Sequence, residues 1–222
     1  MIRNLLRTIK QFTSKGAIEG YFAVKYAEFA RGTEEMRQEY RRLAEKVATC
    51  RQEGRLLEIG PGPGYIAIEL SKLGNFQITG LDISEAMIEI AKRNAKEADA
   101  EIKFRLGDAA NMPFENNSFD FIISSGSLHH WKEPIKIFDE IHRTLKTKGK
   151  ALVCDVRRDA SKEELNRIAE KIDSFIMKWG LKHSIKEAYT KYEIIELVAE
   201  TKFKKCEITE TTIDLEIWLE KL

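Results

Sequence analysis

Arg55 to Tyr65 reads RLLEIGPGPGY, and the fold turns on this stretch. Leu56, Leu57 and Ile59 make a short apolar run, suited to a strand covered on both faces. The run stops at Gly60-Pro61-Gly62-Pro63-Gly64, and Ile66, Ile68, Leu70 and Leu73 follow at helix-compatible spacing. Glycine lets a backbone approach a ligand closely, and the first turn of a helix presents unpaired N–H groups. The spacing is G-x-G-x-G, not the G-x-G-x-x-G of dinucleotide sites. Glu58 stands just before it. A carboxylate there would repel a pyrophosphate but suits a ligand carrying an ammonium or sulfonium.

The sequence on either side bounds the class. The chain has 222 residues, of which 43% are hydrophobic and 33% charged, which predicts an α/β domain with a large core. A net charge of +1 without a run of five Lys or Arg gives no electrostatic case for nucleic acid or an anionic membrane, and no apolar run approaches the length of a membrane span, so neither nucleic acid nor stable membrane insertion is expected. Cys50, Cys154 and Cys206 are far apart and odd in number, which predicts reduced thiols, no metal site and a cytoplasmic setting. Met1 to Phe12 has the spacing of an amphipathic helix packed on its own domain. Ile18 to Ala30 reads as a helix carrying Tyr21, Phe22, Tyr26 and Phe29. Thr33 with Glu34 and Glu35 reads as the start of another, whose stripe is Met36, Tyr40, Leu43 and Val47. Residues 1–50 are thus expected to form a helical cap on a domain spanning 51–222.

Beyond the glycines, Phe76 to Asp82 makes a second strand closing on an acid. Asp82 lies about twenty residues past the glycines, where a carboxylate can accept both ribose hydroxyls. Ser84 can cap the next helix, whose face is Met87, Ile88, Ile90, Ala91 and Ala95. Glu101 to Leu106 is a third strand, leading into Gly107-Asp108-Ala109. An Asp here could accept from an adenine amino group, while the next N–H meets a ring nitrogen; an Asx-type turn is the other reading. Phe119 to Ile123 is the fourth strand, broken at Ser124-Ser125-Gly126-Ser127 and followed by Leu128-His129-His130-Trp131. Pro134 opens a helix expected to end at Gly149, and Lys150 to Val156 is the fifth strand.

Strands alternating with helices predict a parallel sheet with right-handed crossovers, binding its ligand at the strands' carboxyl ends. Glu58, Asp82, Asp108 and Ser125 all fall there. Further on, Leu165, Ile168, Ile172, Phe175 and Trp179 fit one helical face that Gly180 would stop. Tyr189 to Glu200 suggests another helix. Phe203 to Thr209 and Thr212 to Leu219 read as closing strands, joined too tightly for a parallel crossover.

LLEIGPGPGY, LDIS, GDAANMPFENNSFD, SSGSLHHW and EIHRTLKTKGK together resemble the class I S-adenosylmethionine-dependent methyltransferases. The group is the type 11 small-molecule one, which includes the ubiquinone/menaquinone C-methyltransferases. The likeness covers residues 55 to about 156. It implies a Rossmann-like, doubly wound α/β sheet of seven strands, mostly parallel with the last antiparallel, an N-terminal helical cap and a helical insertion near 160–190. It implies S-adenosyl-L-methionine as cofactor and S-adenosyl-L-homocysteine as product. Glu58 and the backbone of Gly60, Gly62 and Gly64 would hold the methionine part, with Tyr65 also at the cofactor. Asp82 would take the ribose, with Ile83 and Met87 beside the adenine. Asp108 and Ala109 would read the adenine edge, and Ser125 would touch the cofactor from strand four. N-terminal aromatics often close such sites, which makes Tyr21 and Tyr26 candidates. One departure is Lys146-Thr147-Lys148-Gly149, where Lys-Pro-Gly-Gly is usual.

His129, just past strand four and near where the methyl belongs, is the candidate catalytic residue. The Pro-Pro-aromatic and Pro-Cys motifs of DNA methylation are absent from that strand end. A small-molecule or lipid-like acceptor is therefore expected, and a homodimer is left open. Two other readings stand beside this one. The first is an NAD-dependent oxidoreductase, suggested by the Tyr21-x-x-x-Lys25 spacing, which here precedes the glycine turn instead of following strand four. The second is a non-catalytic cofactor-binding protein.

Overall fold

A computed structural model describes residues 18–222. The expected Met1–Phe12 helix lies outside the described residues. Helices α1 (Gly20–Gly32) and α2 (Glu34–Cys50) lead into β1 (Glu53–Ile59), α3 (Tyr65–Ser71), β2 (Asn75–Asp82), α4 (Glu85–Glu97) and β3 (Ile102–Leu106). Then come β4 (Phe119–Ser125), α5 (Pro134–Thr144), β5 (Leu145–Val156), α6 (Lys162–Glu170), α7 (Phe175–Glu187), α8 (Lys191–Glu200), β6 (Glu207–Glu210) and β7 (Asp214–Glu220). Single 3-10 turns occupy Ala109–Asn111 and Leu128–His130.

The strands form one seven-stranded sheet in the order β3-β2-β1-β4-β5-β7-β6. β1 pairs parallel with both β2 and β4, so the order reverses there and a crevice opens at the carboxyl ends. β7 runs antiparallel to β5 and β6, which gives the expected mostly parallel sheet closed by an antiparallel strand.

Alternate strand residues feed two cores. Leu57, Ile59, Ile122, Ala151, Val153 and Ile217 pack with Phe138 and Ile141 of α5 and Ile194 and Val198 of α8. Leu56, Ile78, Phe121, Ile123 and Leu152 face Leu43, Ala44 and Val47 of α2 and Ile66 and Leu70 of α3. α2 thus belongs to the sheet's own helical layer. Local signals set the helix starts: Thr33 and Ser84 accept from the N–H groups of Met36 and Met87, and Thr190 with Glu193 forms a capping box.

Three expectations need correcting. α5 ends at Thr144, not Gly149, because Leu145 already pairs with Phe119. The Thr144 hydroxyl bonds back to the Glu140 carbonyl, and a bulge between Phe119 and Phe121 absorbs the residues up to Lys150. The apolar face from Leu165 to Trp179 is two helices, because the Ser174 side chain caps a fresh start at Phe175. Gly180 lies inside α7, and Phe175 is 79% exposed. Finally, β6 is only Glu207–Glu210, since Phe203 turns into the core beneath α5 and α8.

Candidate active site

The glycine turn makes the floor of the crevice. Gly60 sits at φ +64°, and a Cβ there would lie 2.7 Å from the Ser127 hydroxyl. Gly62, at φ +51°, would present a Cβ only to the Tyr26 ring at 3.8 Å. Glycine is required at the first by both conformation and space, and at the second by conformation alone. Two serines pin the turn's root: Ser124 Oγ donates to the Ile59 carbonyl at 2.9 Å and lies 2.7 Å from Ser127 Oγ.

Glu58 is buried beneath this turn, and its Oε2 has no hydrogen-bond partner among the described residues. Burial pushes its carboxyl up to about 8, against the opposing pull of the Ala67 N–H. Asp82 ends β2, accepting from the N–H of Gly62 at 3.1 Å and of Ser84 at 2.9 Å. Burial raises it to about 6 despite those donors. Ile83 beside it is exposed, and Met87 is buried one turn into α4. Asp108 is exposed beyond β3, with one oxygen accepting from the Ala110 N–H at 2.8 Å, so the Asx-type turn is present. Ala109 follows in that turn. Ser125 is half-buried at the end of β4.

The N-terminal aromatics divide. Tyr26 points inward over Gly62, where burial first, then Asp155 and Asp82, raise its phenol. Tyr21 instead lies on the outer face of α1, 60% exposed, with the Lys25 ammonium over its ring. The Tyr65 hydroxyl donates to the Ala27 carbonyl of α1 at 3.3 Å, and its ring meets Tyr40. His129 follows β4 with its side chain 5% exposed and its Nδ1 2.7 Å from Asp155 Oδ1. His130 packs against it, with ring centroids 3.9 Å apart and planes tilted by 51°, and burial lowers its imidazole to about 3.

Sequence reasoning missed Ser124, Ser127, Tyr40 and Asp155. Asp155 had a usable signal, as an acid closing the apolar run of β5. A separate depression at the amino ends of the strands is lined by Arg51, Asp120 and Lys146, whose charges satisfy one another.

Comparison with known proteins agrees with this geometry. The family described as "Methyltransferase domain" matches residues 57–153, from the middle of β1 to the middle of β5. Those residues are similar to a methyltransferase domain. They hold the glycine turn, Asp82, Asp108, Ser125 and His129. A methyltransferase of Bacillus subtilis, named as uncharacterised, is 36% identical over 50% of this chain and 44% of its own length. The demethylmenaquinone methyltransferase of Thermotoga maritima is 32% identical over 62% and 57% respectively. The chain spans about half the length of the curated relatives it matches. A Methanococcus maripaludis structure, assigned as an S-adenosyl-L-methionine-dependent methyltransferase, is 26% identical with a TM-score of 0.74, covering 90% of this chain and 91% of its own. The resemblance to the class I S-adenosylmethionine-dependent methyltransferases therefore holds.

The crevice fits that cofactor. An unpartnered oxygen on a buried carboxylate suits an ammonium. Asp82 is fixed by two backbone donors, and each of its oxygens has a lone pair left for a ribose hydroxyl.

Proposed function

We propose that the chain is an S-adenosylmethionine-dependent methyltransferase acting on a small-molecule or lipid-like acceptor. The observation that carries this reading is that Glu58, Asp82, Asp108 and Ser125 all stand at or just beyond the carboxyl ends of strands in the half of the sheet where the strand order reverses. Demethylmenaquinone methyltransferase among the relatives supports a lipid-like acceptor. The free thiols of Cys50, Cys154 and Cys206 support a cytoplasmic setting.

The bound cofactor would supply a methyl already activated by its positive sulfur. The protein's part is positioning, worth several kcal/mol and up to ~7–11. Glu58 and the Gly60–Gly64 turn would hold the amino-acid end, Asp82 the ribose, and Ile83, Met87, Asp108 and Ala109 the adenine. Tyr26 would close over the reacting centre and exclude water. His129 would face the acceptor.

Calorimetry tests the reading. S-adenosylhomocysteine is expected to bind and NADH is not. Asp82→Ala is expected to weaken S-adenosylhomocysteine by ~1–3 kcal/mol through lost hydrogen bonds. Unchanged affinity would remove Asp82 from the ribose site, and NADH binding in its place would favour the oxidoreductase.

A further inference from the structure

The chain's net charge of +1 divides unevenly. Residues 1–17 carry Arg3, Arg7, Lys10 and Lys15, four of the 37 cations, and none of the 36 acids, so residues 18–222 are net −3. In the same stretch Ile2, Leu5, Leu6, Ile9 and Phe12 keep one stripe at helical spacing, with the first three cations grouped beside it. That stretch lies outside the described residues, but the point where it joins does not. Ile18 packs with both the Ala23–Met87 and the Phe22–Met177 clusters, and its carbonyl accepts from Ser84 Oγ at 2.6 Å. The stretch therefore meets the body at the helices that cap the crevice.

The outside of that cap is apolar at the same place. Phe22 of α1 packs with Ile172 and with Met177 of α7. One or two residues from those contacts, Tyr21 and Val24 of α1 and Phe175 of α7 are exposed. Single exposed apolar side chains are ordinary, but three on adjoining helices beside an apolar stripe form a patch. The charges around it are predominantly basic. The one acid on α1, Glu28, is paired with Lys25, whose ammonium also lies over the Tyr21 ring. α7 carries Lys178, Lys182 and Lys186 against Glu187 alone. The acids nearest in sequence are Glu19, which accepts from the Glu85 N–H, and Asp173. An apolar stripe, flanking cations and exposed aromatics together suit an anionic bilayer surface.

We propose that residues 1–17 and the outer face of α1 and α7 form a docking surface for an anionic lipid bilayer. Attachment is to the surface, because no helix among the described residues is long and apolar enough to cross a membrane. Two other occupants fit less well. A second copy meeting this face through its own would bring two cationic stretches together, and folding back onto α7 would set cations against lysines. α1 bears both the exposed Tyr21 and the inward Tyr26, so docking brings the crevice within one helix of the bilayer in which a lipid-like acceptor dissolves. This last step rests on the lipid-like acceptor reading; the docking itself does not.

Vesicle cosedimentation of the full chain tests the proposal. The wild type is expected to bind phosphatidylcholine vesicles that contain phosphatidylglycerol, and not phosphatidylcholine alone. Salt raised toward ~1 M should release it, since screening then acts within about 3 Å. Each cation near such a surface is worth about fivefold in partitioning, so Arg3→Gln with Arg7→Gln and Lys10→Gln should weaken binding on the order of 100-fold. Phe175→Ser should weaken it roughly tenfold by removing an inserted ring. Unchanged S-adenosylhomocysteine affinity would show that both variants are folded, and the wild-type contrast between the two lipid compositions decides even if they are not. Binding that ignores lipid charge, or that survives the triple substitution, overturns the proposal. So does a dimer that Phe175→Ser breaks in the absence of vesicle binding, which would give the face to a second copy. Failure of the wild type to bind S-adenosylhomocysteine would instead overturn the methyltransferase reading and leave the vesicle result standing.

Discussion

Glu58 holds a proton that a surface glutamate would have given up. Its folded value is about 8, against an ordinary value of 4.5, because burial penalises the charge. Between those values the unfolded chain has released the proton and the folded chain has kept it. Stability contributed by this group is therefore present below about 4.5 and is lost as pH rises toward 8, by at most ~1.4 kcal/mol per unit. Denaturant melts of ligand-free protein at pH 5.5 and 7.5 should show this fall, and Glu58→Gln should lack that share of it. An ammonium beside Glu58 would favour the charged form. Binding S-adenosylhomocysteine near neutral pH should therefore release a fraction of a proton, read as a buffer-dependent enthalpy that Glu58→Gln reduces.

Glu58 and Asp82 were legible in the sequence because each interrupts an apolar run at a strand end. Asp155 ends a run in the same way, but its meaning comes from a histidine 26 residues away that only the β4–β5 pairing brings close. Tyr65 adjoins the glycines in sequence, and the fold adds a contact that the sequence does not show, its hydroxyl donating to α1.

At the scale of elements, the turn after β1 and the seat of α2 each make a claim that can be checked. Gly60→Ala would force a side chain into a left-handed conformation and into Ser127. It should lower Tm and weaken S-adenosylhomocysteine together, as differential scanning fluorimetry with and without ligand would show. α2 is tied to β7 through Glu216, which is 1% exposed and accepts from Arg42 at 2.6 Å and Lys46 at 2.5 Å. Both cations reach water, so Glu216→Ala leaves nothing stranded and should cost only ~1 kcal/mol. Arg42→Ala with Lys46→Ala abandons a buried carboxylate and should cost more, ~3–5 kcal/mol. Equal losses in urea melts would refute this asymmetry. Helix existence was readable from periodicity and caps, but the break between α6 and α7 was not. Ile172 and Phe175 keep helical spacing across it, and only Ser174, an ordinary polar residue in sequence, marks the new start.

For the whole molecule, the alternation of strands and helices from Leu56 to Val156 sufficed to place the crevice. The sheet's far edge was less legible. A short β6 and a folded-in Phe203 answer to packing under α5 and α8, which leaves no periodic trace in sequence.

α1 lies across the mouth of the crevice. It is seated on α4 through Ala23 and Ala27 against Met87 and Ile90, and is latched where Ser84 Oγ donates to the Ile18 carbonyl at 2.6 Å. Loosening that helix is therefore expected to speed the passage of a nucleoside through the doorway. Stopped-flow mixing should find S-adenosylhomocysteine departing faster from Ser84→Ala than from the wild type, with kcat rising if departure sets the pace.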